Sequence, residues 1–232
     1  MKIHRFIISS DLSADNLKIV DREIVGQIKN VLHLKLGEKV IVGDGRGEET
    51  LAEITGIGKS SVALKAQRLQ KNGNEPKNSI TLYCSILKKE NFELIVQKVT
   101  EIGVKHIVPV ISERTIKLGL NQERLEKIAK EAAEQSGRGV VPVISGPMSF
   151  EEAVVNVSKA GSNFLFDSSG EVFKEEVISS DEISAFIGPE GGWVERELSL
   201  ARSRGFNIVS LGKLTLRAET AAIVSSYMLA RF

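Results

Sequence analysis

Apolar and polar positions alternate in short runs through the first 70 residues. The runs are an opening segment around Arg5 to Ile8, then Lys39 to Val42, Thr50 to Ile54 and Ser61 to Lys65, with Gly43-Asp44-Gly45-Arg46-Gly47 as a turn. Period-two patterning broken by glycine turns predicts a small β-barrel. One helical piece interrupts it, because Ile24, Val25, Ile28, Val31 and Leu32 share a face at helical spacing.

The stretch Gln70 to Asn78 holds no apolar residue and carries Gly73 and Pro76, which marks a domain boundary and suggests domains over 1–72 and 73–232. Beyond it the pattern changes to short β-rich runs separated by helical ones. Strands are predicted at Ile80 to Ile86, His106 to Val110, Val141 to Ile144, Phe164 to Asp167, Ala185 to Gly188 and Asn207 to Leu211. Helices are predicted at about Asn91 to Ile102, Gln122 to Ser136, Phe150 to Val157, Val194 to Arg204 and Ala218 to Arg231. Such alternation predicts an α/β domain with a mainly parallel sheet.

With 232 residues and 42% apolar content, the chain can bury a sizeable core. Its one cysteine, Cys84, sits in the apolar run ITLYCSI and reads as a small buried hydrophobe in a reducing compartment. No metal site is expected around it. The opening MKIHRFIISS is too short in apolar residues for a signal peptide, and no stretch reaches the roughly 18 apolar residues of a membrane span, so a cytoplasmic protein is expected. A formal charge of +1 gives no global basic field; a nucleic-acid partner would have to meet a local patch.

Two predicted strands end in glycine-marked turns on one side of the sheet: Ala185-Phe186-Ile187 runs into Gly188-Pro189-Glu190-Gly191-Gly192, and Asn207 to Ser210 into Leu211-Gly212. Glycines there let a ligand approach the backbone, and in open α/β sheets ligands sit at that edge; a plain structural turn has the same look. Phosphate-loop and dinucleotide fingerprints are absent. Arg217 and Glu219, at the mouth of the last helix, are either a ligand-binding pair or ordinary helix-end charges. Glu131, Gln135 and Arg138 share a face if their helix persists, either as a site or as a solvated surface ended by Gly137.

GPEGG at 188–192, LG at 211–212, LRAETA at 216–221, EAAEQSGR at 131–138, QKVTEIGV at 97–104 and SERT at 112–115 together resemble the bacterial ribosomal RNA small-subunit methyltransferase E family. His4-Arg5-Phe6 and the stretch from Val31-Leu32 to Asp44-Gly45 are similar to its N-terminal part. Departures from the family pattern lie there: Gln27 stands where a histidine is expected and His33 where an arginine is.

The resemblance implies a PUA-like β-barrel followed by a trefoil-knotted α/β methyltransferase domain of the SPOUT superfamily. The implied reaction moves a methyl group from S-adenosylmethionine to N3 of a uridine in 16S ribosomal RNA of the small subunit, without a metal. The cofactor would meet three turns, carrying Leu165 and Phe166; Ile187, Gly188, Pro189, Glu190, Gly191 and Gly192; and Leu211, Gly212, Leu216 and Thr220. Arg217 would hold developing charge or a phosphate, and Glu219 would take the N3 proton or orient Arg217. RNA would meet Arg5, Lys29, Lys35, Arg46, Arg114 and Arg138. A homodimer packed through the knot and the last helix is also implied. Rival readings are a knotted methyltransferase acting on ribose 2′-oxygen or a transfer RNA base, a non-catalytic RNA-binding assembly factor and, last, a nucleotide-dependent switch.

Overall fold

A computed structural model describes residues 3–116 and 119–231. The chain divides into two units, Met1–Glu75 with Ala133–Val141, and Pro76–Ala132 with Pro142–Phe232.

The first unit is built on a six-stranded sheet from β1 (His4–Ile7), β2 (Asn16–Ile19), β3 (Lys39–Gly43), β4 (Glu48–Ile57), β5 (Val62–Ala66) and β6 (Gln70–Lys71). Its order is β1-β3-β4-β5-β2, with β6 paired to β4, and only the β1–β3 pair is parallel. Inward positions such as Phe6, Val40, Val42, Ile54 and Leu64 form its core. The strand β2, whose Leu17 and Ile19 point inward, is not among the expected strands; its two apolar positions are too few for the alternation to register.

Helix α1 (Arg22–Gly26) starts where the Asp21 carboxylate accepts the Glu23 and Ile24 N–H groups. The expected single helix then gives way to a π-helical turn over Gln27–Val31, closed by the Leu32 N–H on the Gln27 carbonyl. A π turn rotates the residues after it relative to an α-helix, so Val31, expected on the buried face, stands 69% exposed.

The second unit carries, in chain order, β7 (Ser79–Ser85), α2 (Lys89–Ile102), β8 (His106–Ile111), α3 (Gln122–Ser136), β9 (Val143–Ile144), β10 (Met148–Ser149), α4 (Phe150–Asn156), β11 (Ser162–Val172), β12 (Glu182–Ile187), α5 (Glu195–Ser203), β13 (Asn207–Ser210) and α6 (Ala218–Arg231). The last turn of α3 belongs to the first unit. The sheet is parallel throughout, in the order β10-β8-β7-β12-β11-β13 with β9 on β8. Consecutive strands β7 and β8 are neighbours, but β12 is inserted between β7 and β11. The direction of winding therefore reverses around β7 and β12, the kind of position where α/β sheets bind ligands.

Local chemistry sets the helix ends. Gly103, at φ 114°, closes α2 with its N–H on the Val99 and Thr100 carbonyls, and a Cβ there would lie 2.2 Å from Pro76 Cγ. At α4 the Ser149 hydroxyl accepts the Glu152 N–H, and the Glu152 carboxylate accepts the Ser149 N–H. The aromatic core stacks Tyr83 on Phe186 at 4.3 Å, with Phe150 and Phe206 edge-on to Phe186.

The expected strand Val141–Ile144 is shorter. Val140 bridges to Arg46 and the Val141 N–H donates to the Gly45 carbonyl within the first unit, leaving β9 to Val143–Ile144. Conversely β11 runs on to Val172, with a register shift against β13 between Phe166 and Glu171. Gly170 permits this, since a Cβ there would fall 2.5 Å from the Ile208 carbonyl oxygen.

Candidate active site at the carboxyl ends of four parallel strands

A cavity of about 680 Å³ opens in the second unit where β7, β12, β11 and β13 end. Four segments wall it: Ile86 to Lys88 with Asn91, Phe166 to Ser168, Ile187 to Trp193 without Gly191, and Ser210 to Ala221 without Lys213 and Thr220; Ile116 adds one further side chain. Its size falls in the range of small-molecule sites.

The turn after β12 is shaped from both sides. Trp193 is buried and its indole N–H donates to the Phe166 carbonyl at 3.2 Å. The same ring lies against Gly188, where a Cβ would come within 3.1 Å of it. The Gly192 N–H closes the turn on the Pro189 carbonyl, and Gly192 sits at φ 69°. Gly212, at the end of β13, sits at φ 114° with open space where its Cβ would be. Both positions need glycine for conformation, and both leave backbone bare on the cavity wall.

The inner lining is apolar at Ile86, Leu87, Phe166, Ile187, Leu211 and Leu216 and polar at its edges. Arg217 is exposed, whereas Glu219, in the first turn of α6, is only 9% exposed. Among the described residues neither side chain makes a hydrogen bond or an ion pair, so both charged heads remain available to whatever enters the cavity. Glu190 also lines it. Burial, and then the charge of Glu190, pushes the neighbouring Cys84 thiol far above its ordinary range, leaving it a neutral core residue.

Of the expected cofactor residues, Phe166, Ile187, Gly188, Pro189, Glu190, Gly192, Leu211, Gly212 and Leu216 meet at this cavity, together with Arg217 and Glu219. Leu165, Gly191 and Thr220 do not line it. Leu165 alternates with Phe166 along the strand and points into the aromatic core. Gly191 faces Arg114, whose Nη1 donates to the Gly191 carbonyl at 2.5 Å. Thr220 is exposed on α6.

The six basic residues expected to meet RNA separate by environment. Lys35 and Arg46 are exposed, and Lys29 donates to the Gly58 carbonyl at 2.8 Å. The Arg5 side chain is largely covered and paired with Glu49, which also accepts the Asn72 amide. Arg138 is 3% exposed and pairs with Glu75, whose Oε1 also accepts the Gly139 and Val140 N–H groups. Glu131 and Gln135 stay in solvent, so the shared face with Arg138 does not form: Gly137, at φ 82°, ends the helix and turns the chain before Arg138.

Several residues at or behind the cavity were not singled out from sequence. Lys88 and Asn91 reach it from the start of α2. Trp193, the chain's single tryptophan, directly follows the paired glycines, a signal that could have been read. Glu197, 2% exposed, accepts the Val194 N–H and also that of Glu113, 84 positions earlier; no spacing in the sequence announces the second bond.

A family of RNA methyltransferase domains matches residues 74–230, and an RNA methyltransferase PUA domain matches 28–67. Ribosomal RNA small subunit methyltransferase E of Rickettsia conorii is 31% identical over 97% of this chain and 94% of its own length. The ribosomal RNA small subunit methyltransferase E 2 of Borreliella burgdorferi is 30% identical over 95% and 94%. Among solved structures, the ribosomal RNA small subunit methyltransferase E of Neisseria gonorrhoeae bound to S-adenosyl methionine superposes with a TM-score of 0.91 at 31% identity, covering 98% of this chain and 97% of that one. With matches of this length falling on both of its units, the chain belongs to the ribosomal RNA small subunit methyltransferase E family.

Proposed function

We propose that the protein transfers a methyl group from S-adenosylmethionine to N3 of a specific uridine in 16S ribosomal RNA. The observation that carries this reading is one cavity at four strand ends, two of whose walls present bare glycine backbone, that also holds the side chains of Arg217 and Glu219, neither bonded to a described residue. The apolar wall from Ile86, Leu87, Phe166, Ile187, Leu211 and Leu216 fits an adenosine and the methylene groups of the sulfonium-bearing chain, and backbone groups at Gly188, Gly192 and Gly212 can read the adenine edge.

When bound, S-adenosylmethionine supplies a methyl group on a sulfonium leaving group. The chain's own task is to present N3 in line with that carbon and to remove its proton. Uracil N3 is protonated at neutral pH and becomes a good nucleophile only as the proton leaves. The Glu219 carboxylate, buried beside the cavity and bonded to no described residue, accepts it. The Arg217 guanidinium holds the negative charge that develops on a uracil carbonyl. With the methyl group on N3 and the thioether of the spent cofactor as leaving group, Glu219 would be left carrying the N3 proton. Fixed positioning of the two partners supplies much of the acceleration.

The first unit, matched by the PUA domain, is read as a barrel that docks RNA, with Lys29, Lys35 and Arg46 as phosphate contacts that position without reading sequence. A trefoil knot is part of the same reading: α6 follows the edge strand β13 yet packs on α2, β12 and β7, a return that supports threading. We also infer a homodimer through α6, where Tyr227 stands exposed, and a cytoplasmic location beside the ribosome.

The deciding experiment incubates purified protein with radiolabelled S-adenosylmethionine and small ribosomal subunits from cells lacking the enzyme, then identifies the labelled nucleoside by chromatography. Label in N3-methyluridine, lost in Arg217→Ala, is expected. Label in a ribose-methylated nucleoside or in another base would reject the uridine-N3 reading, and no transfer at all would favour a binding protein.

A further inference from the structure

The Ser112–Ile116 loop and the turn after β12 are joined by two independent contacts. The first runs through Glu197. Its side chain is almost wholly buried; Oε1 accepts the Glu113 N–H at 3.0 Å and Oε2 accepts the Val194 N–H at 2.9 Å. Glu197 lies in the first turn of α5, where the helix dipole favours a negative charge, so the carboxylate needs no cation to remain buried. The second is Arg114, whose stem lies against Gly191 and whose guanidinium bonds its carbonyl. A Cβ at position 191 would come within 3.1 Å of Arg114 Cδ, so this glycine serves the loop rather than the cavity. Ile116, two residues beyond Arg114 in that loop, lines the cavity.

We propose that Glu197 is a positioning residue for the cofactor: acting through the Glu113 backbone and Arg114, it holds the Pro189–Gly192 turn in its cofactor-receiving shape. The idea rests on the proposed methyltransferase function and gives Arg114 a structural task beside any contact with RNA. Trp193 fixes the turn from the sheet side through Gly188 and Phe166, and Glu197 with Arg114 fixes it from the loop side. Between them the stretch from Pro189 to Gly192 keeps little freedom, so the cofactor does not have to order it on binding.

The test uses the full chain and the fluorescence of Trp193, its only tryptophan. S-adenosylmethionine is titrated into wild type, Glu197→Gln, Arg114→Ala and the double variant, and steady-state rates are measured with small subunits. In Glu197→Gln an amide NH2 replaces one acceptor and faces a backbone N–H. Each single variant is expected to weaken S-adenosylmethionine binding about tenfold in the absence of RNA, Glu197→Gln to raise the cofactor KM by a similar factor with kcat within about twofold, and the double variant to bind little worse than either. An unchanged KM, a loss confined to kcat, or effects that multiply in the double variant would overturn the proposal. If Glu197→Gln does not fold, S-adenosylmethionine binding by Arg114→Ala without RNA, a change at an exposed side chain, decides alone. A wild-type protein that binds no S-adenosylmethionine by fluorescence or calorimetry would instead sink the proposed function, and this inference with it.

Discussion

The indole N–H of Trp193 donates to the backbone carbonyl of Phe166 at 3.2 Å, tying the turn that follows β12 to the middle of β11. Both residues line the same cavity, and the bond satisfies a carbonyl at the point where β11 shifts register against β13. Trp193→Phe keeps most of the packing against Gly188 and removes only the donor. A loss of about 1 kcal/mol in urea unfolding is expected, with weaker S-adenosylmethionine binding by calorimetry. Wild-type stability and affinity in the variant would show that the bond is incidental.

Arg217 and Glu219 should separate kinetically. Removing the guanidinium in Arg217→Ala is expected to lower kcat about 100-fold, the scale of losing one donor to a developing oxyanion, while S-adenosylmethionine still binds. Glu219→Gln cannot take a proton and is expected to lower kcat by a similar factor of about 100 at neutral pH, with partial recovery as rising pH ionises N3 in solution. A pH-independent defect in Glu219→Gln would reassign this carboxylate to orientation of Arg217.

Arg138 and Arg46 make opposite predictions. Arg138→Ala leaves the half-buried Glu75 carboxylate without its cation and is expected to destabilise the protein by about 3 kcal/mol in chemical denaturation. Arg46→Ala, altered at an exposed side chain only loosely paired with Asp44, should change stability by less than about 0.5 kcal/mol. It should nonetheless weaken binding to ribosomal RNA and flatten its salt dependence. Unaltered RNA affinity in Arg46→Ala would remove it from the docking surface.

Glu49 links stability to pH. Burial pushes its carboxyl up, but hydrogen bonds from Arg5 and Asn72, the Arg5 charge and a bond from Gln70 outweigh it and hold the group below its ordinary 4.5. A depressed carboxyl contributes stability that is present above the unfolded value and lost as pH falls through the folded one. The wild-type thermal midpoint should therefore drop more steeply below about pH 4.5 than that of Glu49→Gln, and the gap between the two should narrow there. Parallel curves from neutral to acid pH would show that the Arg5 pair contributes nothing.

Much of the fold can be read along the chain because its signals are local. The apolar stripe of α2, the Ser149–Glu152 box of α4 and the glycine ends of β12 and β13 each depend on residues within a turn or two of one another. Gly188, Gly192, Gly212, Arg217 and Glu219 could be gathered at one sheet edge for the same reason, since they lie in the segments that follow two strands of a parallel sheet, and strand ends are visible as pattern breaks; Phe166 and Ile187 joined them as cofactor contacts through the family resemblance. The family motifs added an expected chemistry to that edge.

What only the tertiary structure decided is which side chains are already spent. Arg5 and Arg138 look like RNA-binding cations in the sequence and are internal ion pairs in the fold, because Glu49 and Glu75, 44 and 63 positions away, reach them. Leu165 and Phe166 are adjacent, yet strand alternation sends one into the core and the other into the cavity. Gly191 sits in a run of cavity residues but serves Arg114, and Glu197 ranks as an ordinary helix-start acid until Glu113 arrives beside it. Propensity, capping and turn conformation are short-range energies carried by neighbouring residues. Burial, charge pairing and the assembly of a cavity depend on which distant segments meet, and that depends on the order of strands in the sheet.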